Sequence, residues 1–185
     1  MRITHHIVTI VFIFNFIPSA SVSASESDVF LNSCRTISTQ DLQSYKDYVK
    51  NTAASLDESI DNLATDYEVI SREEDDSNYL IRVKRQEYGV VNYIFNRDFK
   101  NEDYYLKQIG IEKVPGQGVL FEFYSKTKDI QRYYEYLDGE IEGAFVEFYE
   151  NGNFRLILYA KDKKISGCNM KFNQDEIFVE VADRQ

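Results

Sequence analysis

Few residues in this chain have the type and spacing that chemistry requires. Ser125-Lys126-Thr127-Lys128 sets a serine three residues before a lysine, as serine acyl-transferases do. Those enzymes hold the pair on the first turn of a buried helix. Here the surrounding residues predict a hairpin turn, where nothing desolvates the lysine. Acidic residues recur as Glu73 to Asp76, as Asp138, Glu140 and Glu142, and as Glu122 with Glu147. The first run lacks the alternating ligands and central glycine of a calcium loop. The second alternates but reads as an exposed strand end. A glycosidase needs two carboxyls roughly 5–10 Å apart across a cleft, and the chain has no tryptophan to serve as a sugar platform. Gly116-Gln117-Gly118 follows Pro115 and reads as a turn rather than a phosphate loop. No catalytic residue, metal site or cofactor is expected.

The histidines reinforce this. Both, His5 and His6, lie in what reads as a removable leader. Arg2 precedes an apolar run from Ile7 to Ile17, Pro18 ends it, and SASVSA follows. Val22 and Ala24 fit the small-residue cleavage pattern, which puts the cut after Ala24. The apolar run is too short to span roughly 30 Å of hydrocarbon, so no transmembrane segment is expected. Leu31-Asn32-Ser33-Cys34 faintly resembles a lipoprotein box. It stands too far from the apolar run for a cleaved anchor. The expected location is periplasmic or secreted. The mature chain would carry no histidine, which excludes a Ser–His–Asp triad, a Cys–His pair and imidazole-bound metal.

Charge narrows the partners. The net charge is −10, and cleavage removes Arg2 and no carboxylate, leaving −11. That argues against nucleic acid, since no basic face offsets phosphate repulsion. Two cysteines, Cys34 and Cys168, remain. In an oxidising compartment they most simply form one disulfide, worth roughly 4–5 kcal/mol in the chain-entropy model. A catalytic thiolate would lack a histidine to activate it.

The elements that must position these residues follow from periodicity. Residues 1–24 form the leader and 25–37 a short segment, and 38–185 form a single helix-plus-sheet domain. Ser38 with Asp41 suggests a helix start. Leu42, Tyr45, Val49, Ala53, Leu56, Ile60, Leu63 and Tyr67 trace one stripe in steps of three and four. The spacing predicts one helix over 38–66, with Gln43, Lys46, Asp47, Lys50, Asp57, Glu58 and Asp61 on a solvated face. Beyond Tyr67 the composition turns to Tyr, Phe, Ile and Val with frequent turns, which predicts strands. EVIS (68–71) and NYLIRVKRQ (78–86) flank the acidic run as a hairpin. The fold class is therefore α+β: a long N-terminal helix packed on an antiparallel β-meander.

The meander is repetitive. GVLFEFYSKTKD from Gly118 and GAFVEFYENGNF from Gly143 align at a step of 25 residues, and Gly167 opens a truncated copy after 24 more. Gly89 opens a weaker one. Such periods mark arrayed supersecondary units. Alignment stacks Val119, Phe121 and Phe123 with Ala144, Val146 and Phe148, then with Cys168, Met170 and Phe172. That apolar face should meet the helix. The opposite face stacks Leu120, Glu122 and Tyr124 with Phe145, Glu147 and Tyr149. It is a wet sheet face or a protein-binding surface, because tyrosine supplies contact area at low entropy cost.

The string Gly143-Ala-Phe-Val-Glu-Phe-Tyr-Glu-Asn-Gly152, with Tyr159 and the later turn to Gly167, resembles the bacterial variant of the MORN repeat. The likeness covers about 118–167. Phe145 stands where tryptophan is usual, and Asp162-Lys163-Lys164 replaces a glycine turn. The resemblance implies stacked hairpins in a single-layer sheet. It carries no catalytic residues, and its members are often antitoxin-like, or else scaffolds or membrane-associated. The functional expectation is a non-enzymatic binding protein, an immunity-type inhibitor of a basic secreted toxin or effector. The residues expected at the contact are Leu120, Glu122, Tyr124, Phe145, Glu147 and Tyr149, with Asp138 and Glu140 at its rim. The alternative is a MORN-like envelope scaffold.

Overall fold

Alternating strands of this kind bury one face only when something covers it, and two helices do so. A computed structural model describes residues 39–98, 103–175 and 178–181. The leader, the 25–37 segment, Ser38 and Cys34 lie outside them, as does the side chain of Cys168. Helix α1 spans Thr39–Leu56 and α2 spans Ile60–Asp66. Ten strands follow: β1 Glu68–Glu74, β2 Asn78–Arg85, β3 Gly89–Asp98, β4 Asp103–Val114, β5 Gln117–Phe123, β6 Ile130–Leu137, β7 Glu140–Phe148, β8 Phe154–Lys161, β9 Lys164–Phe172 and β10 Phe178–Val181. They form one antiparallel sheet in sequence order, β1 through β10. This is the meander expected, but the first hairpin's loop is shorter than the sequence suggests, because Arg72, Glu73 and Glu74 of the acidic run pair with β2. Among the described residues, no helix is long and apolar enough to cross a membrane.

The single long helix is not found. Ser59 stops it: its backbone is extended (φ −76°, ψ 157°), and its hydroxyl accepts from the Asn62 amide as the N-cap of α2. The apolar stripe conceals this break, because Leu56 and Leu63 are seven residues apart and lie on one helical face whether or not the helix continues. A continuous helix over 38–66 would be roughly 43 Å of straight rod at about 1.5 Å per residue. A ten-stranded sheet rotates by about 20–25° from strand to strand. The break lets α1 pack over β6 while α2 turns onto β1 and β2. Both Leu56 and Leu63 are thereby fully buried.

Lys46 is a second departure. It lies in the buried line of α1 with Leu42, Val49, Ala53 and Leu56 rather than on the solvated side. Its stem covers apolar surface while its ammonium lies 5.1 Å from the Phe154 ring centre and donates to Asn153 Oδ1 at 3.4 Å. Tyr45 packs edge-on against Tyr133 instead, with ring centres 6.5 Å apart. The remaining core follows the aligned repeat: Val119, Phe121, Phe123, Ala144, Val146, Phe148, Met170 and Phe172 are all buried.

The repeat glycines have a steric cause. β6 and β7 slip register between Tyr134 and Tyr136, and β4 and β5 slip between Glu112 and Val114. At the first slip, buried Glu135 turns its carboxylate onto the freed Ala144 amide (3.1 Å) and accepts from the Tyr133 hydroxyl (3.1 Å). Gly143, at φ +109°, lies where any Cβ would overlap that carboxylate. At the second slip, a Cβ on Gly118 would overlap the Ile111 carbonyl oxygen. The 25-residue step thus marks successive close approaches. Gly143→Ala is expected to cost about 3 kcal/mol, from a disfavoured φ and a displaced buried charge. Gly139 has φ +80° but nothing near its missing side chain, so Gly139→Asn should cost less than about 1 kcal/mol. Urea unfolding of both variants checks the contrast.

Candidate functional site: the open face of the sheet

Residues that alternate with the core line the face away from the helices. Pairing places Gly110, Leu120, Tyr134, Phe145, Leu158 and Asn169 side by side across β4 to β9. The central four are half-buried. Tyr134 and Phe145 stack with centres 6.1 Å apart, at 25°. Burial raises the Tyr134 phenol above its ordinary pKa. A neighbouring row runs Gln108, Glu122, Arg132, Glu147, Leu156 and Lys171. A shallow depression of about 420 Å³, walled mainly by Ile141, Phe145, Leu156, Leu158 and Ile165, indents the face near β7–β9.

Stacking the first strand of each copy sets like on like and so misses what the second strand places between them. Glu122 and Glu147 do not form an acidic ladder, because Arg132 on the intervening strand bridges them. Its Nε donates to Glu147 at 2.9 Å and its Nη1 to Glu122 at 3.1 Å. Arg155 adds a longer contact to Glu147 at 3.9 Å. Hydrogen bonds donated to Glu147 and Glu122 hold the Arg132 guanidinium above its ordinary pKa. The carboxylates of this row are already hydrogen-bonded to an arginine, so an apolar contact beside them would desolvate no lone charge.

Tyr124 and Tyr149 are likewise occupied. The Tyr124 hydroxyl donates to the Phe148 carbonyl at 2.7 Å, and the Tyr149 hydroxyl donates to the Phe172 carbonyl at 2.9 Å. Each tyrosine reaches the equivalent phenylalanine of the following copy. Their own turns close alike: the Tyr124 amide donates to Asp129 O and the Tyr149 amide to Asn153 O, both at 2.8 Å. The repeat therefore exists as hairpins tied tip to tip by one hydroxyl. Tyr149→Phe should cost about 1 kcal/mol, the ordinary net value of one hydrogen bond. Thermal unfolding of the variant checks it, and an unchanged midpoint would show that the tie contributes nothing.

The other sequence candidates lie in or beside turns. Asp138 (φ 51°) and Gly139 make the β6–β7 turn, with the Asp138 amide donating to Gly116 O at 2.7 Å. Glu140 makes an exposed ion pair with Lys163 at 3.7 Å. Ser125 to Lys128 form the exposed β5–β6 turn, and neither lysine is enclosed. In the acidic run, Asp75 accepts from the amides of Ser77 and Asn78, each at 2.7 Å. These bonds, Ser77's foremost, hold its carboxyl below the ordinary range. Among the described residues, no three His, Cys, Asp or Glu side chains converge as ligands for a metal ion. No family model, curated protein or solved structure matches the chain.

Proposed function

We propose that this is a secreted or periplasmic, non-enzymatic binding protein, an immunity-type inhibitor that neutralises a toxic effector enzyme. The observation that carries the reading is the half-buried row Leu120–Tyr134–Phe145–Leu158 on a sheet face that the helices leave open. A purely solvated face would alternate polar residues at these positions. A contiguous aromatic and aliphatic centre beside satisfied charges is the anatomy of a protein interface. The net charge of −10 favours rapid capture of a basic partner. The test is binding to the product of the neighbouring gene, measured kinetically at several salt concentrations. Hydrolysis of an envelope polymer by the purified protein alone would overturn the reading.

A MORN-like envelope scaffold is the second reading, favoured by the successive tyrosine-tied hairpins. It requires binding to anionic vesicles, which a chain of this charge should resist.

The compartment carries its own prediction, a disulfide between Cys34 and Cys168. Cys168 belongs to β9, and Cys34 precedes α1 by a few residues. α1 crosses the β8 side, where Lys46 meets Asn153, and leaves beside Tyr88, which meets Ser55 at 2.8 Å. The start of α1 therefore lies toward the end of the sheet that holds β9. Exported protein should show no alkylatable thiol until it is reduced. Two labelled cysteines, or a diacylglycerol mass on Cys34, would refute the disulfide.

A further inference from the structure

The helix break that follows from Ser59 leaves a groove of about 680 Å³ between the 57–62 segment and strands β1 to β4. That is within the size range of ligand sites. Most of its lining is polar, and the nearly buried core residues Phe95 and Leu106 show a little apolar surface at its base. Tyr79 and Tyr104 meet edge-to-face at its wall, with centres 5.9 Å apart. Asp57, Asp61 and Glu74 stand around it, and Lys128 is the one basic residue lining it among those described.

We propose that this groove takes a cationic side chain, an arginine or lysine, projected by the protein partner. The inference rests on the binding reading above, and it assigns the basic partner's charge to a different place. On the open face, Glu122 and Glu147 are both bridged by Arg132. In the groove, the side chains of Asp57 and Asp61 have no hydrogen bond or ion pair among the described residues, and Glu74 accepts from the Tyr104 hydroxyl at 2.6 Å. Glu58, by contrast, is already engaged by Tyr67 and Asn62, with Arg85 3.9 Å away. A guanidinium or ammonium entering the groove would meet the Tyr79 and Tyr104 rings at its wall and carboxylates along its lining. Both terms favour it. An anionic group meets net repulsion, and a neutral one forfeits the Coulomb term. The face would then supply apolar area, while the groove selects for positive charge.

The probe is a blocked tripeptide, acetyl-Gly-Arg-Gly-amide, with its lysine and citrulline counterparts. Ring resonances of Tyr79 and Tyr104 are followed by NMR in the full mature chain. The arginine peptide should shift both rings with a Kd of about 1 mM. The citrulline peptide should bind at least about tenfold more weakly, and so should the arginine peptide to D57N/D61N. Equal binding of citrulline, or no shift at about 10 mM peptide, overturns the proposal. Because the peptides need no partner, a positive result stands even if the neighbouring gene product does not bind. A negative one leaves the open face to be judged by its own variants.

Discussion

Phe148→Ala is expected to lower the unfolding free energy by about 3–5 kcal/mol, the usual cost of removing a large buried ring. Phe148 is 1% exposed and stacks on Phe154 at 5.2 Å, 25° from parallel. Phe154 in turn meets Phe172 at 5.7 Å and carries the Lys46 ammonium above it. Truncation would leave a cavity between β7, β8 and α1. It would also loosen the ring against which a buried lysine is held. Phe145, three residues earlier on the same strand, makes the internal control. It points to the open face and is half-buried there, so Phe145→Ala should cost about 1 kcal/mol, chiefly its stacking on Tyr134. Urea unfolding measures both. A cost below about 1 kcal/mol for Phe148, or equal costs for the pair, would mean that the two faces have been exchanged.

That contrast is legible in the sequence because burial alternates without a break from Val119 to Phe123 and from Ala144 to Phe148. Counted from Gly118 and Gly143, Phe121, Val146 and Phe148 stand at odd offsets, and Leu120, Phe145 and Glu147 at even ones. The stripe of α1 and α2 is equally legible as a burial pattern, yet it does not reveal two helices. Periodicity records which side of a helix is apolar, not whether the backbone continues, and the decisive signal is a single capping serine at residue 59. Lys46 escapes for a related reason. A lysine counts as polar by composition, but its stem is long enough to be buried while its head reaches Asn153 and an aromatic ring. The open face is legible only in part. Stacking the first strands of the copies does not show the second strand that lies between them, so Arg132 of β6 is missed as the partner of Glu122 and Glu147. Tyr124 and Tyr149 look like free contact residues for the same reason. Their hydroxyl acceptors are main-chain carbonyls 24 and 23 residues away, and no side-chain pattern encodes those.

The tyrosine ties change how the open face must be tested, and they shape the second large effect. Replacing Tyr124 or Tyr149 by alanine would both strip the face and untie adjacent hairpins, so a loss of binding would have two causes. Phe145 has no hydroxyl and ties nothing. It also stands at the centre of the apolar row, where interface anchors concentrate. Against the partner, Phe145→Ala is expected to raise the dissociation rate about 30- to 100-fold, a loss of about 2–3 kcal/mol, and to leave the association rate nearly unchanged. Charge reversal at the exposed turn, Asp138→Lys with Glu140→Lys, should do the opposite. It should slow association and flatten its salt dependence, with little effect on dissociation. Glu147→Gln forms a third arm. It breaks the link to Arg132, leaving a guanidinium with half its partners beside the contact, and should weaken binding without altering steering. Surface plasmon resonance at low and high salt separates the three. If dissociation is indifferent to Phe145 while the turn charges still govern association, the complex forms at the turns rather than on the sheet, and the apolar row is only a tolerated solvent face.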